Sequence, residues 1–190
     1  LGRTVELPAD ITRIAPSGAV ATMILAAIAP ECMVTINAAP SESQIAFLPA
    51  NLAALPETGQ MYGSKANLNL ETLLAADPQV VIDLGDKKGD MTEDLDALQE
   101  QIGIPVIFIE ADLPHMAAAF RTLGGLLSGK SDRGEELAAL VDRTTALGEE
   151  NAAKITDDMR VRAMYTTGED GLGTNAAGSI QAQVLNLMMD

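Results

Sequence analysis

Basic side chains are scarce in this 190-residue chain, 12 against 27 acidic ones for a formal charge of −15, yet three of them fall on two short polar stretches. Lys65 sits in Met61-Tyr62-Gly63-Ser64-Lys65-Ala66-Asn67, and Lys87 and Lys88 sit in Gly85-Asp86-Lys87-Lys88-Gly89-Asp90. Ammonium groups gathered on the loops of an acidic protein form a local positive rim that favours an anionic ligand. The alternative is that they are ordinary solvated lysines, with Asp86 and Asp90 as neutralising neighbours. Pro16-Ser17-Gly18 precedes an apolar helical stretch and offers a hydroxyl and backbone N–H groups at a helix N-terminus, suited to an anion; equally, Ser17 caps that helix. His115 and Cys32 are each the only residue of their type. With no Cys–His pair and no Ser–His–Asp order, little remains for acid–base or nucleophilic chemistry, and the chain reads as a binder and not an enzyme. A single cysteine makes no internal disulfide and no metal cluster, so no metal site is expected and Cys32 reads as a buried, inert thiol. Gly168-Glu169-Asp170-Gly171-Leu172-Gly173 has the wrong glycine order for a nucleotide loop and no lysine after it, so it reads as a connection.

The elements that must carry these residues follow from the hydrophobic pattern. Residues 79–84 form a nearly continuous β-branched run, as in a strand covered on both faces of a parallel sheet. Further strands are expected over 13–15, 33–36 and 106–109, alternating with helices over about 19–29, 70–76, 92–102 and 113–127. Leu70, Leu73 and Leu74 are the inward positions of the second of these, an asparagine caps its start, and Asp77-Pro78 stops it. Alternation of this kind predicts an α/β, Rossmann-like lobe with a parallel sheet flanked by helices. Ligands in such sheets bind outside the carboxyl ends of the strands, where both lysine-bearing stretches fall. From Ser131 to about Asp157 runs a long helix with Leu137, Leu140, Val141, Thr144 and Leu147 at helical spacing and Ser131 or Asp132 as its cap. About 27 residues would span roughly 40 Å. A strand over 160–166 and a helix over 179–189 then look like the start of another α/β unit.

Charge and hydropathy exclude several classes. A pI near 4.3 argues against nucleic acid, whose phosphates need a basic face. With 47% hydrophobic residues the chain is not disordered, and no apolar run reaches the roughly 18–20 residues of a transmembrane helix. The N-terminus has neither the basic segment nor the apolar core of a signal peptide.

Asn67-Leu68-Asn69-Leu70-Glu71 with Leu73-Leu74-Ala75 and Asp77-Pro78-Gln79-Val80-Val81-Ile82, followed by Gly103-Ile104-Pro105-Val106, resembles the N-terminal lobe of the substrate-binding proteins of iron-siderophore, haem and vitamin B12 ABC importers. The opening Leu1-Gly2-Arg3-Thr4-Val5-Glu6-Leu7-Pro8, the stretch Ile11-Thr12-Arg13-Ile14-Ala15-Pro16-Ser17 and Gly178-Ser179-Ile180-Gln181-Ala182-Gln183-Val184-Leu185 are similar to that family's start, first strand with binding turn, and first helix of the second lobe. The resemblance implies a ligand-binding lobe over 1–128, an interlobe helix over 129–158, and the beginning of an incomplete second lobe over 159–190.

It further implies a cleft wall drawn from Ser17, Gly18, Tyr62, Gly63, Lys65, Asn67, Asp86, Lys87 and Lys88. Tyr62 either lies against the ligand or packs on its own lobe. Glu71 would meet arginines of a membrane permease, or else simply suits the positive end of its helix. The implied cargo is an iron chelate of siderophore type, with no resident cofactor; haem, cobalamin and an oxyanion such as molybdate are the alternatives. Only 3% aromatic residues and no tryptophan speak against a large stacked macrocycle. The stretch from Tyr62 to Glu71 is about three residues longer than in the vitamin B12-binding protein, which weakens the case for cobalamin. The zinc and manganese receptors use several histidines with a carboxylate, so the lone His115 reads as a surface residue. Export of the family implies an extracytoplasmic location, periplasmic or anchored at the cell surface, with the signal sequence absent from this chain. A different class is also open: an α/β interaction or cofactor-assembly protein. The incomplete second lobe would leave the 160–166 strand edge exposed, predicting a homodimer through that strand.

Overall fold

The computed structural model describes residues 1–61, 66–87, 89, 91–159, 164–176, 179, 182, 183 and 185. Three parallel strands, β1 (Ile14–Pro16), β2 (Val80–Gly85) and β3 (Val106–Glu110), form one sheet in the order β1-β2-β3. The register pairs Pro16 with Ile82, Val81 with Val106 and Gly85 with Glu110, so the three carboxyl ends lie along one edge. The expected strand over 33–36 is reduced to single parallel bridges, Ile14 to Met33 and Ile36 to Glu57. Its backbone donors go instead to separate acceptors: Val34 N–H to Ile14 O and Ile36 N–H to Pro56 O, both at 3.0 Å.

Six helices accompany the sheet among the described residues: α1 (Ala19–Ile28), α2 (Glu42–Ile45), α3 (Leu70–Ala75), α4 (Met91–Ile102), α5 (Met116–Leu126) and α6 (Ser131–Ala152). Strand alternation sends Ile14, Val80, Ile82 and Leu84 into a core with α1, α5 and α6, and Ala15, Val81 and Val106 into a second core with α3 and α4. β2 is buried along its whole length, as its composition requires. In α3, Leu73 is buried and Leu70 packs partly against the second core, but Leu74 is 46% exposed, contrary to expectation. The three share one face, in the order Leu73, Leu70, Leu74 around it, and the helix turns only the Leu73 side of that stripe into the core. Asn69 caps it, its Oδ1 accepting the Thr72 N–H at 3.0 Å. Asp77 then takes φ 49°, in the left-handed region, and its carboxylate accepts from Arg13 Nη2 at 2.9 Å.

α6 is five residues shorter than expected, 22 residues or about 33 Å. Its cap position is Lys130, with no side-chain cap; Ser131 and Asp132 lie inside the first turn. Its first half is fastened to the lobe through buried Gly134, Leu137 and Ala138, whereas Leu140 and Leu147 are 51% and 57% exposed. The close approach of α5 and α6 depends on two glycines. A Cβ on Gly134 would stand 2.7 Å from Phe120 O and 2.8 Å from Gly124 Cα. Arg121 ties the outer faces of the pair to Glu135 and Asp142.

Past α6, residues 160–163 of the expected strand lie outside the described residues, and 164–166 form no strand. Instead Thr167 and Gly173 exchange both backbone hydrogen bonds, at 2.8 and 3.0 Å, closing the glycine-rich segment into a tight turn. The strand edge on which a dimer was expected is therefore not formed by the described residues, and the dimer has no support there. Of the expected helix 179–189, only 179, 182, 183 and 185 are described.

Candidate ligand-binding site

At the carboxyl end of β1, Ser17 comes next to Asp83 because the register places them side by side on the same face of the sheet. Ser17 is 5% exposed and Asp83 6%. The Ser17 hydroxyl donates to Asp83 Oδ1 at 2.5 Å, and the Ser17 N–H donates to Ile82 O at 3.1 Å. Ser17 is thus neither helix cap nor presented hydroxyl, a correction to both readings of the sequence. The cap of α1 is Gly18, and Ser17 points into the core-side face where Asp83 needs a donor. Asp83 was missed at the sequence level; the signal was a single charge inside an otherwise apolar strand.

The carbonyl of Ser17 has a second task. It accepts the Met61 N–H at 2.8 Å, pinning the start of the 61–67 loop to the end of β1. Gln60 and Asn67 close the base of that loop reciprocally: Gln60 N–H donates to Asn67 Oδ1 at 3.1 Å and Asn67 N–H to Gln60 O at 3.0 Å. Gly59 makes this approach possible, with φ 78° and a would-be Cβ only 2.5 Å from Asn67 O. Gly59 N–H also donates to Asn37 O at 2.9 Å, and Gly18 leaves room for Gln60, whose Cβ would be 3.3 Å from a Cβ there. Asn67 is therefore a loop fastener. Tyr62, Gly63 and Lys65 lie outside the described residues.

Beyond β2, Gly85 is held by its carbonyl to Ala111 N–H at 3.0 Å, Asp86 is half-buried and Lys87 is exposed. Lys88 and Asp90 lie outside the described residues. The segment after Asn37 borders an open apolar groove of about 620 Å³ against α1, floored by Ile36 and Leu52 and flanked by Met23 and Phe47. Glu71 is exposed in the first turn of α3, a position compatible with docking and with the helix dipole alike. Cys32 is buried, and burial pushes its thiol above the ordinary range.

The end of β3 brings together residues that sequence reasoning kept apart. Glu110 ends the strand, Asp112 follows, and His115 stands at the cap of α5. His115 Nδ1 bonds to Asp112 Oδ1 and lies 4.0 Å from Glu110 Oε1. Asp112 Oδ2 accepts from Gln183 Nε2 at 3.2 Å, while Gln183 Oε1 accepts the Leu113 N–H at 2.7 Å. His115 is half exposed, as expected of a surface residue, but it is engaged. The Asp112 hydrogen bond raises its pKa against a smaller desolvation effect, helped by the charges of Asp112 and Glu110. For Asp112, burial pushes upward, yet the bonds from His115 and Gln183 outweigh it and hold the carboxyl below its usual range.

The pair therefore stabilises the fold in a window. The raised histidine contributes fully below its unfolded value near 6.5 and loses the contribution as pH rises through its folded pKa. The depressed carboxylate contributes above its unfolded value, near 3.9, and loses the contribution as pH falls through its folded pKa. The His115 imidazole should titrate by NMR above 6.5 and return toward it in Asp112→Asn. An unshifted midpoint would mean that the pair does not form in solution.

No family model and no curated protein matches the chain. Among solved structures, it is similar to an ABC transporter solute-binding protein from Sulfurospirillum deleyianum, 26% identical, TM-score 0.83, over 95% of this chain and 56% of that one. The molybdate periplasmic binding protein MolA of Haemophilus influenzae, solved with molybdate, matches at 18% identity and TM-score 0.65, over 84% of this chain and 54% of that one. IsdE of S. aureus, complexed with heme, matches at 21% and 0.61, over 77% and 51%. The latter two are likenesses of fold alone. The chain spans about half the length of these proteins.

Proposed function

We propose, for a chain whose fold is that of the class III solute-binding proteins of ABC transporters, that it forms the first lobe and interlobe helix of an importer's solute receptor. In this reading residues 1–128 make one wall of a cleft, α6 within 129–158 links the lobes, and 159 onward begins the opposing lobe. The observation that carries the proposal is the TM-score of 0.83 over 95% of the chain to a protein described as an ABC transporter solute-binding protein. It is supported by the gathering of the loops after β1, β2 and β3 at one sheet edge, the place where open α/β sheets take ligands.

Binding, not catalysis, is the task. Gly18, Asp86 and Lys87 contribute the described part of the wall, with Tyr62, Gly63, Lys65 and Lys88 assigned from sequence alone. Ser17, Asp83 and Asn67 hold the loops in place from behind. The cargo is a compact anionic iron chelate of siderophore type, a choice resting on the loop lysines and on the 3% aromatic content. A receptor of this kind works outside the cytoplasm and hands its cargo to a membrane permease.

The test is a thermal-shift screen of the full-length protein against ferric hydroxamates, ferric catecholates, haem, cobalamin and molybdate. A ligand that binds only the folded state, at about 100 times Kd, adds roughly 2.7 kcal/mol. Stabilisation by a ferric chelate is expected. A shift with haem, cobalamin or molybdate alone would keep the receptor and replace its cargo; no shift at all in a cooperatively melting protein would count against the receptor itself.

A further inference from the structure

We propose that Glu110, Asp112 and His115 form a binding site for one divalent first-row transition-metal ion, of the zinc, cobalt or nickel kind. One ligand atom from each of the three lies within 4.8 Å of the others; an ion at about 2.0–2.2 Å from each would replace the proton between His115 and Asp112, moving those two atoms slightly apart and drawing Glu110 inward. The spacing E-x-D-x-x-H places the donors on one short turn between β3 and the cap of α5, which fixes both of its ends. Two carboxylates and a neutral imidazole balance a 2+ charge. An imidazole with two oxygen donors suits a borderline ion better than calcium or magnesium, which take oxygen alone.

Three further observations support the site. Among the described residues, no lysine or arginine pairs with Glu110 or Asp112, although arginines and lysines elsewhere pair with seven other acidic side chains; the only cationic partner here is His115. Asp112 is already oriented from behind, its second oxygen held by Gln183, in the manner by which outer partners aim metal ligands. Gln183 comes from beyond α6 and also holds the Leu113 N–H, so the turn is clamped on a residue some 70 positions away. A count of one histidine had argued against a metal; the carboxylates that complete the set become visible only when the turn is folded. The site lies on the loop after β3, at the same sheet edge as the loops assigned above to the solute, and shares none of the wall residues named there.

The experiment is isothermal titration of chelator-stripped protein with Zn²⁺, paired with visible absorption on Co²⁺ addition. One ion per chain and a cobalt spectrum with imidazole coordination are expected. His115→Ala should abolish that signature, Asp112→Asn should weaken binding at least as strongly, and Gln183→Ala should weaken it by about 10-fold. Circular dichroism on each variant separates lost ligands from lost fold; His115 is half exposed, so its truncation removes little packing. Absence of stoichiometric binding, or zinc binding that His115→Ala leaves unchanged, overturns the proposal. The solute screen is read separately, so failure of either leaves the other standing.

Discussion

On the proposed reading as a receptor lobe, a full-length protein carrying Glu71→Arg is expected to bind its solute as tightly as the wild type and to fail in delivering it. The side chain is exposed in the first turn of α3, and the hydrogen bonds that close the neighbouring loop are made by Gln60, Asn67 and Asn69 and not by Glu71. Reversing its charge should therefore leave the fold and the cleft wall untouched. If the glutamate meets a basic permease surface, the reversal replaces attraction with repulsion, and a cost of about 3 kcal/mol translates into a roughly 100-fold weaker complex. Uptake should collapse while solute affinity, measured by titration, stays constant, and Glu71→Gln should fall between. Undiminished uptake with Glu71→Arg would remove the docking role and leave Glu71 as a residue that merely suits its helix terminus.

The second large effect concerns stability, and here two physical rules disagree in sign. An alanine for glycine inside a helix normally stabilises by up to about 1 kcal/mol. At Gly134 the added methyl meets backbone atoms, Phe120 O at 2.7 Å and Gly124 Cα at 2.8 Å, which no side-chain rotation can clear. α5 and α6 must then separate where Leu137 and Ala138 are buried. Gly134→Ala is expected to cost about 2–3 kcal/mol, and Gly134→Val more, as overpacking of a fitted contact does. Urea denaturation followed by circular dichroism reads this directly. A stabilised Gly134→Ala would mean that the two helices do not approach this closely.

Much of the fold was legible because it depends on local pattern. The apolar run 79–84 could only be a doubly covered strand, and it is; the alternation of strands and helices predicted the parallel sheet on both sides of it. What the sequence concealed depends on which face a residue occupies once the register is set. Ser17 looked like a cap or a ligand donor, but the pairing of Pro16 with Ile82 sets it opposite Asp83. Met33 to Ile36 had the composition of a strand, yet its partners are too scattered for a ladder. His115 was legible as a surface residue, whereas its company was not. The expected strand stopped at 109 and the expected helix began at 113, so Glu110 and Asp112 fell in the connection between them, and nothing in their spacing announced that Gln183 would reach back to hold Asp112. Of the proposed cleft wall, the positions of the loops were readable from the strand ends, and the fasteners behind them were not.

The reciprocal clasp between Gln60 and Asn67 has a bearing on how such a molecule can evolve. The two residues satisfy each other across the neck of the loop and Ser17 anchors its first residue, so among the described residues the ends of that interval are held by hydrogen bonds belonging to its flanks. Changes of side chain at 62–65 leave the groups that make those flanking bonds in the sequence. On the proposed reading as a receptor lobe, a library confined to positions 62–65 would vary recognition between two loop ends that stay fastened.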